Sequence, residues 1–262
     1  MVGLSVIDPI RGADFQTRSL LLALGAGEPF RVARALAVEA GHRASSGSIR
    51  QAARILDRAE ELAAELESDY AIAITEMARG TVAYFDQRWG DALRLSRQAA
   101  TRFRERCAGA TWELDTATAF SLWSLAKMGD IGELSRVCPA LLKEAHERGD
   151  LYAIANVSTQ VMTLVRLGAD DPAGARAELN DVMSRWSQNG YHVQHHDALL
   201  AFVPLGLYCG NASAAWHRVQ GEWSAFRWSL LSHVQDLRIE MLQLRAYCAL
   251  WIPVRASTPS RH

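Results

Sequence analysis

The chain has 262 residues, 49% of them hydrophobic and 22% charged, which is enough for one extended repeat domain or two compact ones and too apolar for a disordered chain. With 28 Lys plus Arg against 29 Asp plus Glu, the net charge of -1 offers no basic field for nucleic acid or an anionic membrane. No apolar run reaches the roughly 18 residues of a membrane span, residues 1–9 lack a basic leader region, and Cys107, Cys138, Cys209 and Cys248 form no C-x-x-C pair. Together these features predict a cytoplasmic protein with reduced thiols.

In chain order, residues 1–13 read as a lead-in, 14–250 as a helical-repeat domain and 251–262 as a disordered tail. The first hairpin carries Leu20, Leu21, Leu22 and Leu24, then a Gly25-Ala26-Gly27 turn, then a helix opening at Glu28-Pro29 and bearing Phe30, Val32, Leu36 and Val38. Little sequence precedes it to cover this apolar surface, which makes Leu21 and Leu24 candidate partner-binding residues. Ser48 with Gln51 has capping-box spacing, and Ile49, Ala52, Ala53, Leu56, Ala59, Ala63 and Leu66 form one apolar stripe at helical period. Arg88, Arg94, Arg97, Arg102, Arg104 and Arg106 concentrate charge but spread around their helix, as on a solvated outer face rather than an RNA-binding stripe.

Trp112 and Trp123, eleven residues apart, share a helix face. Such a pair packs between hairpins or lines an aromatic groove for a ligand or peptide, so both are candidate partner-binding residues. Asp130 with Glu133 forms a second capping box, and Asp171 before Pro172 an N-cap with proline at the first helical position. Leu151, Ile154, Ala155, Ser158, Val161, Met162 and Val165 make a further stripe, as do Ala175, Leu179, Val182, Met183 and Trp186. Pro139 and Pro204 should kink or break their helices. Trp216 and Trp223, seven apart, also share a face, and the pattern ends after Cys248.

Gly90, Gly129, Gly168 and Gly210 are separated by 39, 39 and 42 residues, with Gly109, Gly149 and Gly190 between them. Two helices per interval predict an all-α fold, an α-solenoid of antiparallel tetratricopeptide-like hairpins with a period of about 40 residues.

Catalytic motifs are wanting. Gly25 to Phe30 begins like G-x-G-x-x-G but ends in Phe30 and contains Pro29. His42-Arg43-Ala44 lacks the aspartate of a kinase catalytic loop, and no G-K-S or G-K-T triplet occurs. No enzyme activity and no cofactor are expected. In His192-Val193-Gln194-His195-His196-Asp197, the rings of His192 and His196 stand one turn apart, so His192, His195 and His196 are candidate metal ligands; a polar first turn after Gly190 is the plainer reading.

Several strings occur together: Ala13-Asp14-Phe15-Gln16-Thr17-Arg18-Ser19-Leu20, Gly27-Glu28-Pro29-Phe30-Arg31-Val32-Ala33-Arg34-Ala35-Leu36, Phe103-Arg104-Glu105-Arg106-Cys107, Thr111-Trp112-Glu113-Leu114-Asp115-Thr116, Glu147-Arg148-Gly149-Asp150-Leu151-Tyr152 and the histidine cluster. In them the chain resembles, over most of residues 12 to 248, the C-terminal helical region of large bacterial serine/threonine protein kinases. In that family a kinase domain precedes an ATPase module and tetratricopeptide-like repeats. The resemblance implies a regulatory or partner-sensing segment in signalling, and it carries over no catalytic residue.

The leading expectation is a non-catalytic scaffold that binds a protein or peptide, either a kinase or ATPase module or a second copy of itself. The alternative is a sensor enclosing a small molecule among its Trp and His residues, and a third class is an enzyme with a metal at the histidine cluster.

Overall fold

The computed structural model describes residues 9–251, and every regular element among them is helical. In order they are α1 (Pro9–Ala26), α2 (Pro29–Ser45), α3 (Ile49–Glu65), α4 (Asp69–Phe85), α5 (Trp89–Arg106), α6 (Thr111–Met128) and α7 (Ile131–Arg148). One continuous helix follows: α8 (Leu151–Asn156), a π-helical segment (Val157–Met162) and α9 (Thr163–Gly168). Then come α10 (Pro172–Arg185), α11 (Val193–Tyr208), α12 (Ala212–Trp228), a 3-10 turn (Leu231–His233) and α13 (Gln235–Trp251). α1 thus begins five residues ahead of the expected boundary at 14, while 252–262, the rest of the expected tail, lie outside the described residues.

Local chemistry places most ends. Glu28 accepts the N–H groups of Phe30 and Arg31, Asp130 that of Glu133 at 3.0 Å, and Asp171 that of Gly174 at 2.8 Å, so three of the caps read from the sequence form. Ser48 starts α3 but makes no side-chain cap bond, so the expected Ser48–Gln51 box does not close. Pro139 and Pro204 lie inside unbroken helices; the irregularity falls instead at Val157–Met162, which contains neither proline nor glycine.

Positive φ recurs at Gly27, Gly47, Glu67, Gln87, Gly109, Gly129, Gly149, Asp170, Gly190, Gly210 and Leu230, at intervals of 20 to 22 residues. Each marks a reversal between helices, and four of them are not glycine. Gly90 and Gly168, used above as period markers, are not among them: Gly90 sits in the first turn of α5 and Gly168 ends α9.

The helices alternate in environment. α3 buries Ala52, Leu56, Ala59 and Ala63 on one stripe, whereas α4 buries eleven residues spread around it. A helix apolar on one stripe faces solvent on its other side, and one apolar all round is enclosed. α2 packs on α3 and α4, α4 on α5 and α6, α6 on α7 and the π segment, and α11 on α12 and α13. α2, α4, α6, the 151–168 helix and α11 are therefore the inner set, and α13 packs on α11 and α12 through one stripe, Glu240, Met241, Leu244 and Cys248. The many alanines of the inner helices, such as Ala37, Ala40, Ala73 and Ala83, let their backbones approach closely.

The last helix packs back against the turn after α2 and against α6. At Gly47 (φ 86) an added Cβ would fall 2.1 Å from the Gln235 side-chain oxygen, and Lys127 of α6 bonds Glu240 of α13 across 113 residues of sequence. No helix among the described residues is long and apolar enough to cross a membrane.

Candidate functional site

Between the inner helices lies a chamber of about 290 Å³, partly open to solvent. Side chains from α1, α2, α4, α6, α8, the π segment, α11, the 3-10 turn and α13 line it, and none comes from α3, α5, α7, α10 or α12. α6 presents Trp112, Thr116, Phe120 and Trp123, spaced four, four and three residues apart and hence on one helix face. α4 opposes them with Tyr84 and Phe85. The rings interlock edge to face, Tyr84 on Phe120 at 5.3 Å and Phe120 on Trp123 at 5.0 Å between centroids, which fixes a stiff aromatic wall.

Acidic groups stand in the same lining. Asp197 of α11 is 1% exposed; its Oδ1 accepts Gln160 Nε2 at 2.7 Å, while Oδ2 has no partner. Gln160 belongs to the π segment, whose wider turn interrupts the regular progression of side chains around the 151–168 helix. Glu240 of α13 accepts Lys127 Nζ at 2.6 Å on one oxygen and meets His196 Nε2 at 3.1 Å on the other. Asp236, one turn earlier, lies 3.7 Å from the same ammonium.

Burial sets the protonation of this group. It pushes Asp197 up to about 7, against the pull of His196, the Gln160 hydrogen bond and Lys127. Burial, then the charge of Glu240, also raises Asp236. Burial acts the same way on Glu240, but the His196 hydrogen bond and the Lys127 charge outweigh it and hold the carboxyl below its ordinary value. The Tyr84 hydroxyl is driven well above its ordinary value, first by burial and then by the charges of Asp236, Glu240 and Asp197.

Asp197 consequently weakens the fold when ionised. An acid whose folded pKa lies above its unfolded value of 3.8 favours folding at low pH and loses that contribution as pH rises through about 7. Asp197→Asn keeps an acceptor for Gln160 and should melt a few degrees above the parent at about pH 8. The difference should shrink at about pH 5 and vanish only below the unfolded value of 3.8, where the carboxyl is protonated in both states. Thermal melts at the two pH values check this, and a variant less stable at both would contradict it.

The sequence candidates fall into different places. Trp112 and Trp123 meet in the chamber, both half-buried and each with its indole N–H unpartnered. Leu21 and Leu24 stay on α1, 62% and 51% exposed, and do not join them. The histidine cluster forms the polar first turn of α11 expected after Gly190, but His192, Gln194, His196 and Asp197 are all buried there. The rings of His192 and His195 meet edge to face at 5.3 Å between centroids, but each ring has its own partner: His192 Nδ1 accepts the Trp186 indole N–H at 3.1 Å, His195 Nδ1 accepts the His192 backbone N–H at 3.0 Å, and His196 turns to Glu240. No group of three or more potential ligands is assembled among the described residues. Sequence reasoning passed over Tyr84, Lys127, Asp236 and Glu240. The available signal was an acid at the head of an apolar helix, as in His196-Asp197-Ala198-Leu199-Leu200.

No family model, no curated protein and no solved structure matches the chain.

Proposed function

We propose that the chain is a non-catalytic ligand-binding segment, a tetratricopeptide-like stack of helical hairpins whose inner helices enclose a small molecule. The carrying observation is the chamber, to which every inner helix contributes and in which aromatic walls meet a few buried polar groups, the usual make-up of a small-molecule site. Asp197 supports the reading: an acid that works against the fold and lines a cavity is the sort of group a binding site retains. Through the sequence strings described above, the same reading gives the segment a sensing role beside a kinase or ATPase module in the cytoplasm. The four free cysteines accord with a reducing compartment.

The neutral solvatochromic dye prodan tests this. It should bind one to one with blue-shifted emission. Val38→Trp, which fills the lining from α2, should abolish the shift, whereas Leu21→Glu with Leu24→Glu should keep it. Emission unaffected by Val38→Trp, or lost in the α1 variant, would place the dye on the surface and defeat the reading.

One observation favours a second reading, self-association. Large exposed apolar side chains gather on the first and last described helices: Phe15, Leu21, Leu22 and Leu24 on α1, Leu242, Tyr247, Leu250 and Trp251 on α13. End-to-end contact with a second copy would cover both faces. Sedimentation at micromolar concentration should then show a dimer or larger species, weakened by Leu21→Glu with Leu24→Glu; a monomer throughout would dismiss it.

A further inference from the structure

The charges in the lining are one-sided. Among the described residues Asp197, Asp236 and Glu240 line the chamber together with one histidine, His42 of α2, while neither lysine nor arginine does, although the chain holds 28 of them. The arginines pair elsewhere, for instance Arg97 with Glu133 and Arg102 with Glu76. Lys127 lies behind the lining and is committed to Glu240 and Asp236. Even with His196 protonated, three carboxylates would face two cations. The carboxylate left over is Asp197, whose Oδ2 has no hydrogen-bond partner although the residue is 1% exposed. The same lining carries the aromatic rings of α4 and α6. Among the described residues the cation–π contacts, Arg218 on Phe202 and Arg245 on Trp223, involve none of these rings.

A buried acid with an unpartnered oxygen, in a chamber walled by aromatic rings, is the complement of one kind of ligand. We propose that the chamber takes an organic cation, an amine or quaternary ammonium carried on an apolar body, with its charge against Asp197 and the aromatic wall. This rests on the chamber being the ligand site. An anion would meet three acids, and a neutral apolar molecule would leave Asp197 Oδ2 without a partner.

Acid should weaken such binding. The titratable and charged groups around Asp197 are Tyr84 from α4, Lys127 from α6, Tyr152 from α8, Tyr191 ahead of α11, His196 from α11 itself and Glu240 from α13. Burial holds Asp197 near 7, so it is ionised, and attractive to a cation, only toward alkaline pH.

Three probes with one apolar body and different heads decide the matter: phenylbutylamine, phenylbutanol and phenylbutyrate, each measured by calorimetry and by displacement of prodan from the full chain. The amine should bind at least about tenfold more tightly than the alcohol at about pH 8, with the acid weakest. The amine's advantage should shrink at about pH 6, where the amine is still charged and Asp197 is not. Asp197→Asn should reduce it to within about twofold at both pH values. Displacement of prodan by alcohol and amine alike would overturn the cation assignment and leave the chamber standing as a site. Binding neither of prodan nor of any of the three would overturn both. The parent chain's amine-to-alcohol ratio and its pH dependence decide the proposal even if the variant fails to fold.

Discussion

Lys127→Met is expected to destabilise the protein by about 3 kcal/mol or more at neutral pH. The substitution keeps the length and apolar stem of the side chain but removes the charge that neutralises Glu240 and Asp236. Glu240 is 6% exposed and would keep only His196 as a partner. Removing one member of a buried pair costs far more than the pair contributes, because the stranded charge keeps its desolvation penalty. In the parent, the Glu240 pKa is depressed, so its contribution is present above its unfolded value of 4.5 and is lost as pH falls through the folded value. In Lys127→Met the stranded acids escape their penalty by taking up protons, so the gap between parent and variant should be widest at neutral to alkaline pH and narrow on acidification. Adding Glu240→Gln should recover part of the loss. Urea unfolding followed by circular dichroism measures all three, and a loss below about 1 kcal/mol would mean that the pair behaves as a surface contact.

Phe103→Ala should cost about 3–5 kcal/mol. The ring is 1% exposed on α5 and meets Tyr70 of α4 edge-on, with centroids 5.8 Å apart. It lies in the cluster that joins Leu56 of α3 to Ile74 and Ala78 of α4. Much of the surrounding cluster is alanine, which has no side-chain freedom with which to close a gap, so the cavity would persist and its cost would add to the lost transfer energy. Phe103→Leu retains most of the volume and should cost under about 1.5 kcal/mol. Phe15→Ala, at a side chain 46% exposed, should change stability by under about 0.5 kcal/mol. Equal losses at Phe103 and Phe15 would contradict the assignment of the core.

Helix formation and helix ends were legible in the sequence because they depend on neighbours within one turn. The caps at Glu28, Asp130 and Asp171 each satisfy backbone N–H groups two or three residues away, and the stripes Ala52-Leu56-Ala59-Ala63 and Ala175-Leu179-Val182 are buried as their period requires. Residue spacing alone also put Trp112 and Trp123 on one face. The turns were legible only where glycine marks them: Glu67, Gln87, Asp170 and Leu230 adopt the same left-handed conformation with side chains that do not advertise it. Burial of the histidine cluster escaped local reading too, because a run of polar residues after a turn looks the same whether it faces water or another helix.

The chamber was decided by tertiary structure. Its aromatic wall comes from α4 and α6 and its acids from α11 and α13, and the Lys127–Glu240 bond that ties the two halves spans 113 residues. Periodicity reports which face of a helix is apolar, not which distant helix will face it. Whether Asp197, Asp236 and Glu240 would sit in water or line one chamber with Tyr84 and Trp123 therefore depended on the path of the whole chain, because burial and opposing charge act through space rather than along the sequence.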